Sequence, residues 1–168
     1  MKKFVLTMSL LSMLGLAAQA EPLAVGAPAP DIKATDQDGK SLNFKDVYAK
    51  GTTLVYFYPK ADTPGCTKQG CSLRDSWGDL QAKGIQVIGV SEDKVEKQKD
   101  FRDKYSFQFP LVADDDGAVA KAFGVPVTLG FASRQSFLIK NGKVAWTMPK
   151  ASTATHGADI LKAASELK

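Results

Sequence analysis

The chain has 168 residues, a hydrophobic fraction of 44% and a formal net charge of +4 at pH 7. This length suits one domain with a sizeable core. Basic and acidic residues are interspersed, and no basic block carries interleaved aromatic residues, so nucleic acid is not an expected partner. With one histidine and two cysteines, the sequence disfavours both a metal site and a Cys-His-Asp hydrolase.

The first twenty residues have the layout of a secretory signal peptide. Lys2 and Lys3 precede an apolar run over residues 4–16, and small residues precede the expected cleavage after Ala20. The run is shorter than the ~20 apolar residues of a spanning helix, which disfavours an uncleaved membrane anchor. We expect a periplasmic or secreted mature domain, residues 21–168, with no membrane attachment. Its formal charge falls from +4 to +2 because both lysines are lost.

Turn-forming residues dominate the start of this mature domain. The sequence DQDG at residues 36–39 predicts a tight turn between two short strands, the second of which is SLNF at residues 41–44. A short β-hairpin is therefore expected before the main body of the fold.

A buried strand is predicted next, at the β-branched and aromatic residues 52–58. Pro59 ends this strand because proline cannot donate to a sheet ladder. We expect a helix from Thr63 to about Lys83, with a hydroxyl at the N-cap and Pro64 at the first helical position. Its apolar stripe is typical of a core-facing helix and consists of Leu73, Trp77 and Leu80.

Both cysteines lie on this helix. Cys66 falls at its third position, where unbonded N–H groups and the helix dipole favour a thiolate, so it is the candidate nucleophile. Cys71 would lie about 8.5 Å from it between Cα atoms, beyond the ~7 Å that a disulfide tolerates. A bond between them would require the first helical turns to unwind. This favours a redox cycle over a permanent structural disulfide, which remains the alternative for an exported protein.

The remaining elements alternate between strands and helices. The order predicts an α/β fold of the thioredoxin-like arrangement, with a central mixed sheet flanked by helices and an N-terminal β-hairpin extension. The DDDG run is interpreted as a turn and helix cap, since it lacks the spaced ligands of a calcium loop. The predicted elements are a strand at 85–91, a helix at 92–106, a strand at 109–114, the DDDG cap at 114–117 before a short helix, a loop at 124–132, a hairpin turned by Asn141-Gly142 and a helix from His156 to Leu167.

The pattern Pro59-x-x-x-Thr63-x-x-Cys66 resembles the active-site signature of the peroxiredoxins. The longer string YPKADTPGCTKQGCSLRD is similar to the peroxiredoxin Q, or bacterioferritin comigratory protein, branch, in which a resolving cysteine follows the peroxidatic one by five residues, matched here by Cys71. The resemblance implies a catalytic site that includes Pro59, Thr63 and these two cysteines. It also implies a monomer or weak dimer that needs no metal, haem or flavin cofactor.

That family's cycle gives the expected function. Cys66 attacks hydrogen peroxide or a small organic hydroperoxide, and the resulting sulfenic acid condenses with Cys71 to a disulfide. An external dithiol, such as a thioredoxin-like protein, then reduces the pair. Two alternatives remain. An exported thiol:disulfide oxidoreductase usually carries C-x-x-C, which this chain lacks, and a non-enzymatic redox-sensing module would react slowly with peroxide.

A peroxidase also needs fixed donors for the departing oxygen. Arg74 lies about 12 Å along the helix beyond Cys66, which is too far, and Arg102 is expected on a solvated surface. Arg134 opens a buried strand and is the best candidate; the resemblance agrees, because peroxiredoxins begin an R-x-[ST]-F-L-I strand with their active-site arginine. The Thr63 hydroxyl could bond the sulfur or a bound peroxide, or could be a plain N-cap.

Two further residues are singled out by the sequence. Gln69 stands where many relatives have glutamate between the cysteines, a change that we do not expect to abolish activity. His156 is the sole histidine and begins the last predicted helix. We interpret it as structural.

Overall fold

The computed structural model describes residues 21–167, so the expected signal peptide at residues 1–20 lies outside the described residues. No helix within residues 21–167 is long and apolar enough to cross a membrane. The elements follow in this order: β1 Lys33–Asp36, β2 Ser41–Asn43, α1 Phe44–Tyr48, β3 Thr53–Phe57, α2 Pro64–Asp75, α3 Trp77–Ala82, β4 Gln86–Ser91, α4 Val95–Tyr105, β5 Leu111–Ala113, α5 Ala118–Phe123, β6 Val127–Thr128, β7 Phe131–Ala132, β8 Ser136–Lys140, β9 Lys143–Met148 and α6 His156–Glu166.

Seven strands form one mixed sheet in the order β2-β1-β5-β4-β3-β8-β9. The central strands β3, β4 and β5 are parallel, while β8 and β9 add antiparallel strands on one side. The N-terminal hairpin β1–β2 joins the other side through antiparallel pairing of β1 with β5. The predicted thioredoxin-like α/β fold with a mixed sheet is confirmed, and the hairpin extends the main sheet.

Helices cover both faces of the sheet, and β3 shows why. Its residues alternate between two cores, with Leu54 and Tyr56 in one and Val55 and Phe57 in the other, because successive strand side chains point to opposite faces. The first core is closed by α2, α3, α4 and α6, and the second by α1 and α5. The helix residues that close them are Leu73, Leu80, Phe101 and Ile160 on the first face and Phe44, Val47, Val119 and Phe123 on the second.

The single helix expected over residues 63–83 is interrupted at Ser76. That residue has φ −91° and ψ 4°, outside the α-helical region, and α3 begins immediately after it. Immediately after this break, the Trp77 ring packs on Phe109 with centroids 5.8 Å apart. Trp77 is therefore a half-buried core residue, as predicted.

Two local predictions differ from the structure. Phe44 begins α1 and does not end a strand, because the Asn43 side chain accepts a hydrogen bond from the Lys45 N–H and caps a helix there. The loop expected over residues 124–132 contains the small antiparallel hairpin β6–β7.

Two predicted turns are confirmed. Asn141 and Gly142 both have positive φ, 53° and 71°, as a type I′ turn between β8 and β9 requires. The Asp114 carboxylate accepts hydrogen bonds from the N–H groups of Val119 and Ala120, each at 2.8 Å, and so caps α5.

The two edges of the sheet are differently built. The β2 edge is three residues long. At the β9 edge, the N-terminal segment covers the first residues: Gly26 donates to the Val144 carbonyl at 2.8 Å, and Val144 donates to Ala27 at 2.9 Å. The pairing of β8 with β9 also contains a register shift between Leu138 and Ile139.

Candidate active site

The candidate site lies where β3 ends and α2 begins, beyond the carboxyl end of a central parallel strand, which is the usual place for a site in such sheets. Pro59 lies in the turn that follows β3, and Thr63 is the N-cap residue of α2, with Pro64 at its first position. Cys66 is therefore the third residue of α2, and it is only 2% exposed. The first turn of α2 contains no acidic residue, so no carboxylate competes with a thiolate for the helix N-terminus.

The Thr63 hydroxyl does not cap the helix. It donates a hydrogen bond to the Lys60 carbonyl at 2.9 Å, and it makes no bond with an N–H of α2. The side chain closes the turn that leads into the helix. Because its proton is directed at Lys60, its oxygen keeps only lone pairs for a further partner.

Arg134 lies beside the candidate nucleophile. Its Nη2 donates toward the Cys66 sulfur at 3.3 Å, and its Nη1 donates to Oε1 of Gln69. Its carbonyl accepts a bond from the Ala151 N–H at 3.2 Å, which fixes the backbone before β8. Gly65 leaves room for this guanidinium, since a Cβ there would lie 3.3 Å from Nη2.

The other two arginines are engaged elsewhere. Arg74 donates to the Tyr105 carbonyl and pairs with Asp75, and Arg102 pairs with Asp38 in the turn of the N-terminal hairpin. Of the three sequence candidates, the structure brings only Arg134 to Cys66.

A buried polar network lies behind Arg134, and the sequence analysis missed it. Gln69, His156 and Ser136 are each 0% exposed. Gln69 Nε2 lies 3.1 Å from His156 Nδ1, and His156 Nε2 lies 2.9 Å from the Ser136 hydroxyl. These contacts join α2, α6 and β8. Their members are 20 to 87 residues apart in the chain, so no local pattern indicated them.

His156 is held as a neutral imidazole. Burial, assisted by the nearby charge of Arg134 and opposed by Asp159, lowers the pKa of His156 from 6.5 to about 4. Its ring also meets the Tyr56 ring edge to face, with centroids 5.6 Å apart. Burial raises the pKa of Tyr56 well above its usual value, so both rings beside the site are uncharged at neutral pH.

The loop before α2 is held from α4 and from the end of β4. Asp62 has a left-handed φ of 57°, and its carboxylate accepts hydrogen bonds from the Tyr105 hydroxyl at 2.7 Å and from Lys104 at 2.8 Å. Lys104 beside it lowers the pKa of Asp62. The Ala61 N–H donates to Asp93 at 2.7 Å. These contacts fix the direction in which the chain enters the helix that carries Cys66.

Cys71 lies further along α2, half-buried against the first core, and both cysteines are free thiols. Gln69 and Gly70 between the two cysteines are buried, so unwinding of this part of α2 would disturb packed residues. A Cβ at Gly70 would lie 2.5 Å from Cζ of Phe107, so that ring rests directly on the helix backbone.

Comparison with known proteins identifies the family of the chain. Residues 25–147 match the AhpC/TSA family. The chain is 41% identical over 143 residues to peroxiredoxin Bcp of Escherichia coli, a match that covers 80% of this chain and 91% of that protein.

Solved structures give the same result. The structure of peroxidoxin BcpB from Mycobacterium tuberculosis is similar at a TM-score of 0.81 and 31% identity, over 86% of this chain and 97% of that one. The Xanthomonas campestris bacterioferritin comigratory protein, described for its alkyl peroxide reduction activity, is similar at a TM-score of 0.77 and 28% identity, over 84% and 98%. The chain therefore belongs to the AhpC/TSA family and is a peroxiredoxin.

Proposed function

We propose that this protein is a thiol-dependent peroxidase in which Cys66 is the peroxidatic and Cys71 the resolving cysteine. The observation that carries the proposal is the 3.3 Å contact between Arg134 Nη2 and the Cys66 sulfur at the N-terminus of α2. A fixed guanidinium and a helix N-terminus both stabilise a thiolate, and the same donors can stabilise the oxygen that departs when a peroxide is cleaved.

The first step is a two-electron transfer. The Cys66 thiolate forms a bond to the terminal oxygen of the hydroperoxide, and the O–O bond breaks. The departing alkoxide or hydroxide takes a proton and leaves as an alcohol or as water. The sulfur becomes a sulfenic acid and the peroxide is reduced.

The second step forms the disulfide. The Cys71 thiolate bonds to the Cys66 sulfur and the S–O bond breaks. The departing hydroxide takes a proton and leaves as water. Because an intact helix holds the two Cα atoms about 8.5 Å apart, residues 66–71 of α2 must unwind. The helix already ends at Asp75, before the break at Ser76, which favours an opening that leaves α3 in place.

The cycle closes by thiol–disulfide exchange with an external dithiol, which supplies two electrons. A thioredoxin-like protein is the reductant that we propose. Export by a signal peptide cleaved after Ala20, and a monomer or weak dimer as the working form, complete the proposal. The alkyl peroxide activity described for the Xanthomonas campestris relative supports small organic hydroperoxides as substrates beside hydrogen peroxide.

The test uses the reduced mature protein, residues 21–168, mixed with one equivalent of hydrogen peroxide. We expect rapid loss of two thiols in the unaltered protein and no rapid loss in Cys66→Ser. In Cys71→Ser, we expect the loss of one thiol and a lasting sulfenic acid, which dimedone traps. Thiol loss no faster than that of free cysteine would contradict the proposal and favour protein disulfides as substrates.

A further inference from the structure

We propose that His156 is a positioning residue for the peroxide step, acting through Gln69 to fix the guanidinium of Arg134 against the Cys66 sulfur. The inference rests on the proposed peroxidase function, because it assigns a role within that step. Each link of the chain of contacts is a hydrogen bond of the buried network described above.

The first link fixes the orientation of the Gln69 amide. A guanidinium has only donors, so the amide atom that meets Arg134 Nη1 must be the carbonyl oxygen Oε1. The amide nitrogen Nε2 then points to the other side, where His156 Nδ1 lies 3.1 Å away. Because Gln69 is buried, an unpaired Nε2 would be costly, so this orientation of the amide is stabilised by an acceptor on the opposite side.

The second link supplies that acceptor. An amide NH₂ can only donate, so Nδ1 of His156 must carry a lone pair, and the ring proton must be on Nε2. That Nε2–H donates to the Ser136 hydroxyl at 2.9 Å. Ser136 lies in β8, two residues after Arg134, so the network returns to the strand that carries the arginine. The neutral ring described above is the form that this arrangement requires.

The neutral character of Gln69 also matters for the charge of Arg134. In the part of the chain that the structure describes, Arg134 forms no ion pair with a carboxylate. The neutral Gln69 amide orients the guanidinium without neutralising it. The full positive charge of Arg134 thus remains directed at the Cys66 sulfur, where a bond from a charged donor is strongest.

Protonation of His156 would disrupt the hydrogen bonds that link it through Gln69 to Arg134. A proton on Nδ1 would face the amide NH₂ of Gln69, and relief would require the amide to turn its oxygen toward the histidine. Arg134 would then meet an NH₂ group and lose its acceptor. His156 is therefore expected to influence the reaction at Cys66 without contact to substrate.

The experiment compares His156→Asn with His156→Leu in a Cys71→Ser background, which carries one thiol. Asparagine places a side-chain oxygen near the position of Nδ1 and can accept from Gln69, whereas leucine cannot. The first readout is the rate of alkylation of Cys66 by iodoacetamide at pH 6, which reports the thiolate fraction and needs no peroxide. The second readout is the rate of oxidation by hydrogen peroxide.

We expect His156→Leu to lower both rates by roughly tenfold, the effect of weakening one hydrogen bond to a charged group. His156→Asn should restore most of both rates even if its melting temperature is as low. Ile160→Ala, which removes a fully buried side chain of the same helix outside the network, should lower the melting temperature and leave both rates unchanged.

A double-mutant cycle tests the path through Gln69. Gln69→Leu should slow both reactions, and His156→Leu should add no further effect in that background. Equal rates for His156→Leu and its Cys71→Ser parent would overturn the proposal, as would equal rates for the leucine and asparagine variants or additive effects in the cycle. If the unaltered protein reacts slowly with peroxide, the proposed function fails, while the alkylation rates still decide the role of His156.

Discussion

Arg134 and Cys66 lie 68 residues apart in the chain, yet Nη2 of the arginine is 3.3 Å from the cysteine sulfur. The register of the sheet brings them together. Strand β8 pairs antiparallel with β3, with Ser136 opposite Tyr56, so the residues that precede β8 lie beside those that follow β3. Backbone pairing in the centre of the fold therefore brings Arg134 to the end of β3, from which the chain leads into α2 and Cys66.

Replacement of Arg134 by lysine should slow oxidation by peroxide while the charge is kept. An ammonium group cannot bond the Cys66 sulfur and Gln69 in one plane as the guanidinium does. We expect the rate constant for Cys66 oxidation to fall by about 10²- to 10³-fold, as for loss of a fixed donor in an anion-stabilising site. Rapid mixing with hydrogen peroxide measures it. Arg102→Lys, on α4 at the hairpin turn, is the matched control and should keep the unaltered rate.

Gly65→Ala should separate activity from stability. The new Cβ would lie 3.3 Å from Arg134 Nη2 and 3.7 Å from Thr153 Cγ2, so the guanidinium must shift by a fraction of an ångström. We expect peroxide oxidation to slow by roughly fivefold, since small displacements of catalytic groups are costly. Stability should hold or rise, because alanine favours a helix over glycine by about 1 kcal/mol.

The control for that prediction is Gly78→Ala in α3, where a Cβ would meet no atom within 4 Å. It should raise the melting temperature without a change in the rate of oxidation. Full activity in Gly65→Ala would mean that the contact between residue 65 and the guanidinium does not matter to the reaction.

Gly70→Ala should destabilise the reduced protein. Its Cβ would overlap the Phe107 ring at 2.5 Å, and overpacking of this kind costs about 1–3 kcal/mol. If residues 66–71 unwind when the disulfide forms, the oxidised protein escapes this cost. The reduction potential should then become more negative by about 20–60 mV. Urea unfolding of the reduced form and equilibration with a dithiol buffer measure the two effects, and an unchanged potential would show that Gly70 stays packed after oxidation.

Acid should destabilise the protein through His156. Its pKa falls from 6.5 to about 4 on folding, so the unfolded chain binds a proton more readily. The neutral His156 ring contributes on the order of 3 kcal/mol to folding stability. This contribution is fully present above pH 6.5 and is lost as the pH falls through 4. The groups that face the ring are Asp159 on its own helix, Arg134 and the uncharged Tyr56.

The comparison that isolates this effect is the stability of the unaltered protein and of His156→Asn between pH 7 and pH 4. Burial raises the pKa of Glu92 to about 7. The contribution of Glu92 to folding stability is therefore lost as the pH rises, which is opposite to the effect of His156, and it is the same in both proteins. The difference between the two proteins should shrink toward acid. A constant difference would contradict the prediction.

Much of the fold could be predicted from the sequence because its signals are local. β-branched and aromatic composition predicted β3, and Asn141-Gly142 predicted the hairpin of β8 and β9. The break at Ser76 could not be predicted, since residues 63–83 keep a helical pattern across it. It lies where Gly157 of α6 packs against α2, a tertiary contact that the sequence does not record.

In the candidate site, too, the residues with local sequence signals could be predicted and the others could not. Cys66 at the helix N-terminus followed from Thr63-Pro64, and Arg134 followed from the strand that it precedes. The roles of Gln69, His156 and Ser136 depend on three elements that meet only in the folded protein. A buried glutamine between two cysteines and a lone histidine at a helix start carry no local sign that they bond each other.

The construction of the sheet edges has a consequence for self-association. An exposed edge strand is a template for pairing with another chain, and aggregation by this route needs a run of open backbone groups. Here β2 offers three residues, and the start of β9 is occupied by residues 26–28 next to a strand irregularity. Within the described residues, neither edge of this sheet presents a long, flat ladder, which disfavours growth of the sheet from one molecule to the next.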